Sequence, residues 1–229
     1  MQRGYVLHTR PYRESSVLVN LLVDGQGRVD CVARTGSGKS SIKSILQPFQ
    51  PLLFQLGGRS SLKSLYQVEA ASPAIPLSGE VSFAGFYLNE ILVRCLDVEH
   101  GAEQLFFTYH KTLMAMAAQF SQAQLRYFEL ALLKELGVMP SLEFDTTQEA
   151  IEPGGYYRLL QEEGFAPALG PKSNHFSGQL LRDLDEGTLQ ETDFLQAKLL
   201  MRQLMTAVLG DKPLKSRALF AKKTLHSSV

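Results

Sequence analysis

The spacing of apolar residues changes once along this chain, at residues 73–79 (PAIPLSG), and that change restricts the possible folds more than any other feature. Before it the period is two, the spacing of a strand with one buried face. Val17, Val19, Leu21 and Val23 alternate with Leu18, Asn20 and Leu22, while Val29, Cys31 and Ala33 oppose Arg28, Asp30 and Arg34. Leu52, Phe54 and Leu56 form a third set, and Leu62, Ser64, Tyr66 and Val68 a fourth; Gly4 to His8 supplies a strand ahead of them. Turn residues at Arg10-Pro11-Tyr12, Asp24-Gly25-Gln26-Gly27 and Gly57-Gly58-Arg59 separate the runs.

After residue 79 the period is helical. Leu88, Ile91 and Cys95 share a face, residues 104–118 form a second candidate helix, and Leu125, Phe128, Leu132 and Leu136 a third, closed by Gly137. Phe194, Ala197, Met201, Leu204 and Val208 define a late helix, and Ser177 caps a short one from Gly178 to Leu184. Residues 138–171, rich in proline and glycine, read as an irregular insert in which Tyr156-Tyr157-Arg158-Leu159 forms a short strand. The expected fold is α+β. A five-stranded barrel of the oligonucleotide-binding (OB) type at 1–79 precedes a mainly helical domain at 80–229.

The connector between the third and fourth strands, residues 32–51, reads in two ways. Gly38-Lys39-Ser40 fits the core of a phosphate-binding loop, with a helix at 41–46 to follow. A nucleotide hydrolase also needs a second acidic residue on a buried strand and a parallel sheet of βαβ units. Here alternating strands resume and Pro48 stops the helix, so the connector reads better as a basic loop of a barrel.

Charge points the same way. Residues 1–80 hold nine Lys/Arg against five Asp/Glu, a balance of +4, and residues 81–229 hold fourteen against eighteen, a balance of −4. Such asymmetry suits a nucleic-acid-facing module joined to a more acidic one. Arg10, Arg13, Arg28, Arg34, Lys39, Lys43, Arg59 and Lys63 supply cations for phosphates, and Tyr12 and Tyr66 supply aromatic faces for bases. Of these, all but Arg28 form the candidate DNA-binding set. Two isolated cysteines, Cys31 and Cys95, and five scattered histidines build neither a disulfide framework nor a metal site. Catalytic signatures and paired buried carboxylates are lacking, so the reading is not of an enzyme. There is no apolar leader or membrane-length run, and a soluble cytoplasmic protein is expected.

Several segments together resemble the bacterial DNA repair protein RecO family: residues 5–16 (YVLHTRPYRESS), 27–29 (GRV), 46–49 (LQPF), 76–79 (PLSG), 86–90 (FYLNE), 126–133 (RYFELALL) and 212–217 (KPLKSR). They occur in the family's order along nearly the whole chain. The resemblance implies an N-terminal OB domain and a helical C-terminal domain. It implies a protein that binds single- and double-stranded DNA and anneals complementary strands. Such a protein engages the acidic tail of single-strand-binding protein and, with RecR, helps load RecA, without a cofactor. For that tail the expected site joins the apolar face of Leu125 and Phe128 to the cations Arg126, Lys212, Lys215 and Arg217. The chain departs from the family at Thr35-Gly36-Ser37-Gly38, where relatives are more basic, and lacks cysteines in 138–171, so no zinc is expected. The competing readings are a protein-interaction adaptor whose barrel does not touch DNA and, further off, a phosphate-loop ATPase.

Overall fold

The computed structural model describes residues 1–36, 42–98, 101–210 and 212–219. Strands β1 (Gln2–Tyr12), β2 (Ser16–Val23), β3 (Gly27–Arg34), β4 (Pro51–Gly57) and β5 (Lys63–Ala70) close into a barrel in the order β1-β2-β3-β5-β4. All neighbours are antiparallel except β3 and β5, which pair in parallel through Cys31↔Lys63, Val32↔Ser64 and Ala33↔Leu65. The alternation sets the core. Val19, Leu21, Val23, Val29, Cys31, Ala33, Leu52 and Phe54 turn inward with Val6, Leu46 and Leu65. Each large side chain so buried contributes about 1.5–3 kcal/mol.

Three expectations within the barrel need correction. Arg10-Pro11-Tyr12 is not a turn: β1 runs through it, and the chain reverses at residues 13–15, where Arg13 takes φ 55°. Pro11 fits there because the pairing of β1 with β4 ends at Tyr5↔Pro51, which leaves that stretch of β1 at a sheet edge. In β5 the inward residues are Leu65 and Val68, not the set Leu62, Ser64, Tyr66 and Val68. A bulge with Gln67 at φ 50° inserts one residue against β4, shifts the alternation and turns Tyr66 outward. The helix expected at 41–46 is only a single 3-10 turn, Ile42–Ser44; Gly38, Lys39, Ser40 and Ser41 lie outside the described residues.

The chain packs as two compact units, one holding residues up to Phe120 with the segment 212–219, the other Ser121–Gly210. In the first, helices α1 (Gly79–Cys95) and α2 (Glu103–Ala118) join the barrel. The Tyr5 ring meets Tyr109 edge-on at 5.2 Å, and its hydroxyl is 2.6 Å from His110 Nδ1. Burial pushes the Tyr5 phenol up to about 12, so it stays neutral. Asn89, buried on α1, donates to the Leu7 carbonyl at 3.1 Å and accepts from the Tyr109 hydroxyl, so neither amide atom is left dry. Gly85 lets α1 seat the ring of Phe49: a Cβ there would stand 2.6 Å from the ring's Cζ. At the far end of α1, Arg28 Nη1 donates to the carbonyls of Val93 and Leu96 at 2.6 and 3.0 Å. The guanidinium thus satisfies the orphan acceptors of a helix C-terminus.

The second unit packs α3 (Gln122–Glu135) against α5 (Phe194–Leu209), with α4 (Gly178–Glu186) beside α5. Ser121 and Gln124 form a capping box that starts α3, Gly137 at φ 69° follows its end, and Ser177 Oγ accepts from Leu180 N to start α4. The insert expected to be irregular contains a hairpin, β6 (Tyr156–Leu160) and β7 (Gly164–Ala168). With β8 (His175–Ser177) it makes a sheet of order β7-β6-β8. Phe165 and Phe176 from that sheet are fully buried, as are Phe128, Leu132, Leu181, Leu200 and Met201.

Candidate nucleic-acid interface

Directly opposed residues of neighbouring strands share a face. Val17, Val19 and Ala33 face the core, so the intervening residues face outward. Two outward rows cross the sheet: Tyr12, Ser16 and Arg34, then Arg10, Leu18 and Val32. Arg10 and Arg34 are exposed. Arg13, at the turn, holds its guanidinium 5.2 Å from the centre of the Tyr12 ring. Thr35 N donates to the Ser15 carbonyl at 2.9 Å and Ile42 N to the Thr35 carbonyl at 3.1 Å. These bonds tie the connector to the β1–β2 turn and bring Lys43 to the end of the barrel that carries Arg13 and Arg34. Tyr66, exposed, directly follows Leu65, which pairs with Ala33, the residue before Arg34. Arg10, Tyr12, Arg13, Arg34 and Lys43 therefore share one region, and Tyr66 is exposed on β5, the strand beside β3.

Other expected members stand apart. Because β5 runs parallel to β3, the turn that precedes it lies at the opposite end of the barrel, and exposed Arg59 goes with it. Lys63, half-buried, sits level with Cys31 between the two ends. Lys39 lies outside the described residues. Arg28, a cation of the same basic half, is drawn into the fold: besides capping α1 it is paired with Asp30 at 2.9 Å. Its place two residues before Asp30 gave no sequence sign of that, because the helix it caps begins about fifty residues later.

The residues expected to hold an acidic tail fall in both units. Leu125 and Phe128 are core residues of the second unit, and Phe128 is fully buried. Arg126 is also buried, its Nη2 bonded to Glu129 Oε1 at 2.6 Å one turn along α3. Its Nε has no hydrogen-bond partner among the described residues. In the same unit a cleft of about 510 Å³ lined by Met139, Pro140, Leu160 and Leu204 carries Glu162 and Glu163, the wrong charge for an acidic ligand. Lys212, Lys215 and Arg217 are exposed in the first unit. Their segment is anchored to α1: Lys215 N and Ser216 N donate to the two carboxylate oxygens of Glu90, each at 2.8 Å. Burial opposes the charge on Glu90, but the bonds from Ser216 and Lys215 and the nearby Arg94 outweigh it and hold its pKa below the ordinary 4.5. Among the described residues no three metal-ligating side chains gather, and no helix is long and apolar enough to cross a membrane.

A strand-built barrel with a cationic, aromatic outer face, followed by helices, is the architecture of an OB-fold DNA repair protein, and sequence comparison agrees. Residues 1–74 match the model for the N-terminal part of recombination protein O, and residues 77–218 the model for its C-terminal part. The chain belongs to the RecO family. It is 40% identical to the DNA repair protein RecO of Serratia proteamaculans over 96% of this chain and 92% of that protein. The RecO of Tolumonas auensis is 42% identical over 95% and 93%, and that of Sodalis glossinidius 40% over 96% and 86%.

The Glu90 anchor gives a pH-dependent expectation. A depressed carboxylate pKa stabilises the fold fully above the ordinary 4.5, and that contribution is lost as pH falls through the lower folded value. Hydrogen exchange at the Lys215 and Ser216 amides should accelerate, relative to the barrel amides, below about pH 4.5. Glu90→Gln should give the same local acceleration at neutral pH. Unchanged protection in that variant would remove Glu90 as the anchor.

Proposed function

We propose that this RecO-family protein is a non-catalytic recombination mediator. It binds single- and double-stranded DNA, anneals complementary strands and, with RecR, helps load RecA onto DNA coated with single-strand-binding protein, acting in the cytoplasm. The single observation that supports the reading most is the gathering of Arg10, Arg13, Arg34 and Lys43 with Tyr12 at one end of the barrel, with Tyr66 exposed on β5, the strand beside β3. Cations spaced along strands suit a phosphate backbone, and aromatic rings among them suit unpaired bases. Lys39, from the adjoining connector, is assigned to phosphate as well, and Arg59 and Lys63 to a longer path of the same strand around the barrel. Exposed arginines add little to stability, so a role outside the fold accounts for them better.

The triple variant Arg10→Glu, Arg13→Glu, Arg34→Glu should keep its circular-dichroism spectrum and lose oligonucleotide binding measured by fluorescence anisotropy. Lys39→Ala should flatten the log–log salt slope by about one unit. Undiminished affinity in the triple variant would move the DNA site off the barrel. ATP turnover abolished by Lys39→Ala would return the connector to the phosphate-loop reading.

The acidic tail of single-strand-binding protein is assigned to the exposed cations Lys212, Lys215 and Arg217. Calorimetry with a synthetic acidic tail peptide should show roughly tenfold weaker binding for a Lys215→Ala, Arg217→Ala double variant, the loss of a charge-assisted contact. Equal affinity would require a different tail site.

A further inference from the structure

Four residues of α5 spaced four apart, Leu195, Leu199, Gln203 and Ala207, are all exposed. That spacing makes a single ridge along a helix surface. The fold does not account for its leucines. Ala197, Leu200, Met201, Leu204 and Met205 already supply the buried face of α5, yet Leu195 and Leu199 stand 66% and 37% exposed on successive turns. Lone leucines in water are ordinary, but two turns of them form a patch. Lys198 and Arg202, also exposed, lie beside that patch. The other half of the ridge has the opposite character. Gln203 and Ala207 line the cleft of about 510 Å³, where Val138, 49% exposed, continues the apolar wall and Glu162 and Glu163 supply the charge. Glu162 holds φ 66°, a conformation in which glycine or asparagine would suit the turn better than glutamate. One ridge thus carries a cationic apolar projection on its first half and borders an acidic apolar recess on its second.

We propose that this face of α5 docks on the same face of a second copy of the chain, the leucine half of each ridge entering the cleft of the other. The ridge is self-complementary. With the two helices antiparallel about a twofold axis midway along it, Leu195 comes level with the partner's Ala207 and Leu199 with the partner's Gln203. Bulk then meets recess on both sides of the axis, and each contact is made twice. Ridges of this spacing interdigitate when helices cross at about −50°. Lys198 and Arg202 of each copy come to the acidic recess of the other, so the charges that repel an acidic ligand there attract this one. The pairing stands without the DNA-binding reading. Its consequence rests on that reading: one particle carries two barrels, as many as two annealing strands require.

Sedimentation velocity of the full chain over a concentration series should show a reversible monomer–dimer equilibrium that weakens as salt is raised. The variant Leu195→Glu, Leu199→Glu should raise the dimer dissociation constant by at least about tenfold, with an unchanged circular-dichroism spectrum because both positions are exposed. Reversing the acids (Glu162→Lys, Glu163→Lys) or the cations (Lys198→Glu, Arg202→Glu) should each raise it about tenfold. All four reversals together should return it to within about threefold of the parent value, since opposite signs meet again. Residues that served only the fold would not show that recovery. A monomer at every concentration would overturn the proposal. So would a dimer indifferent to the leucine and charge variants, or reversals that fail to restore each other. Oligonucleotide anisotropy on the same samples reads the barrel separately: a dimer obeying these variants that binds no DNA upholds the pairing and overturns the DNA-binding reading.

Discussion

Three residue pairs hold this barrel shut. The parallel pairing covers the edge of β3 at Cys31–Ala33 and of β5 at Lys63–Leu65, and an unpaired edge is where such sheets associate wrongly. The same pairing organises the surface. It pairs Ala33 of β3 with Leu65 of β5, residues far apart in sequence, and sends the β4–β5 turn with Arg59 to the other end. A slip of one residue in that pairing would exchange the inward and outward faces of β5. The surface chemistry is therefore a consequence of closure.

Local patterning made most of this legible. Period two in β2, β3 and β4 and the helical period after residue 79 reflect burial of one face at a time, and each element appears where its spacing requires. What stayed hidden depends on pairing. The bulge at Gln67 breaks the alternation of β5, and a rule of strict period two places Tyr66 on the same face as Val68. Arg10-Pro11-Tyr12 has the composition of a turn, but proline is harmless at a sheet edge, and edges are defined by the strands that fail to pair. Within 138–171 the strand expected at Tyr156-Tyr157-Arg158-Leu159 is β6, while its partner β7 stayed hidden because it is only five residues long and holds Gly164 and Pro167.

The candidate site shows the same division. Composition identifies arginines and tyrosines in the basic half but not which of them are committed to the fold. Arg28 looks like its neighbours in the alternating pattern, yet it spends its donors on Asp30 and the end of α1. Arg126 likewise reads as a surface cation one step from an apolar stripe. In the fold nearly all of α3 is covered, and the guanidinium turns to Glu129. Glu90 is the converse: an undistinguished helical glutamate that anchors a segment more than a hundred residues away. A formal net charge of zero is compatible with a polyanion partner because pairs such as Arg3–Asp24, Arg28–Asp30 and Arg126–Glu129 each consume one charge of either sign.

The central claim is that the barrel's outer face meets phosphates directly. The most direct measurement is the affinity of the whole protein for a single-stranded oligonucleotide across a range of salt concentrations. If about four cations each neutralise a phosphate, log affinity should fall against log salt with a slope near −3. A slope close to zero, with binding retained, would mean an apolar contact in place of the phosphate contacts and would contradict the account.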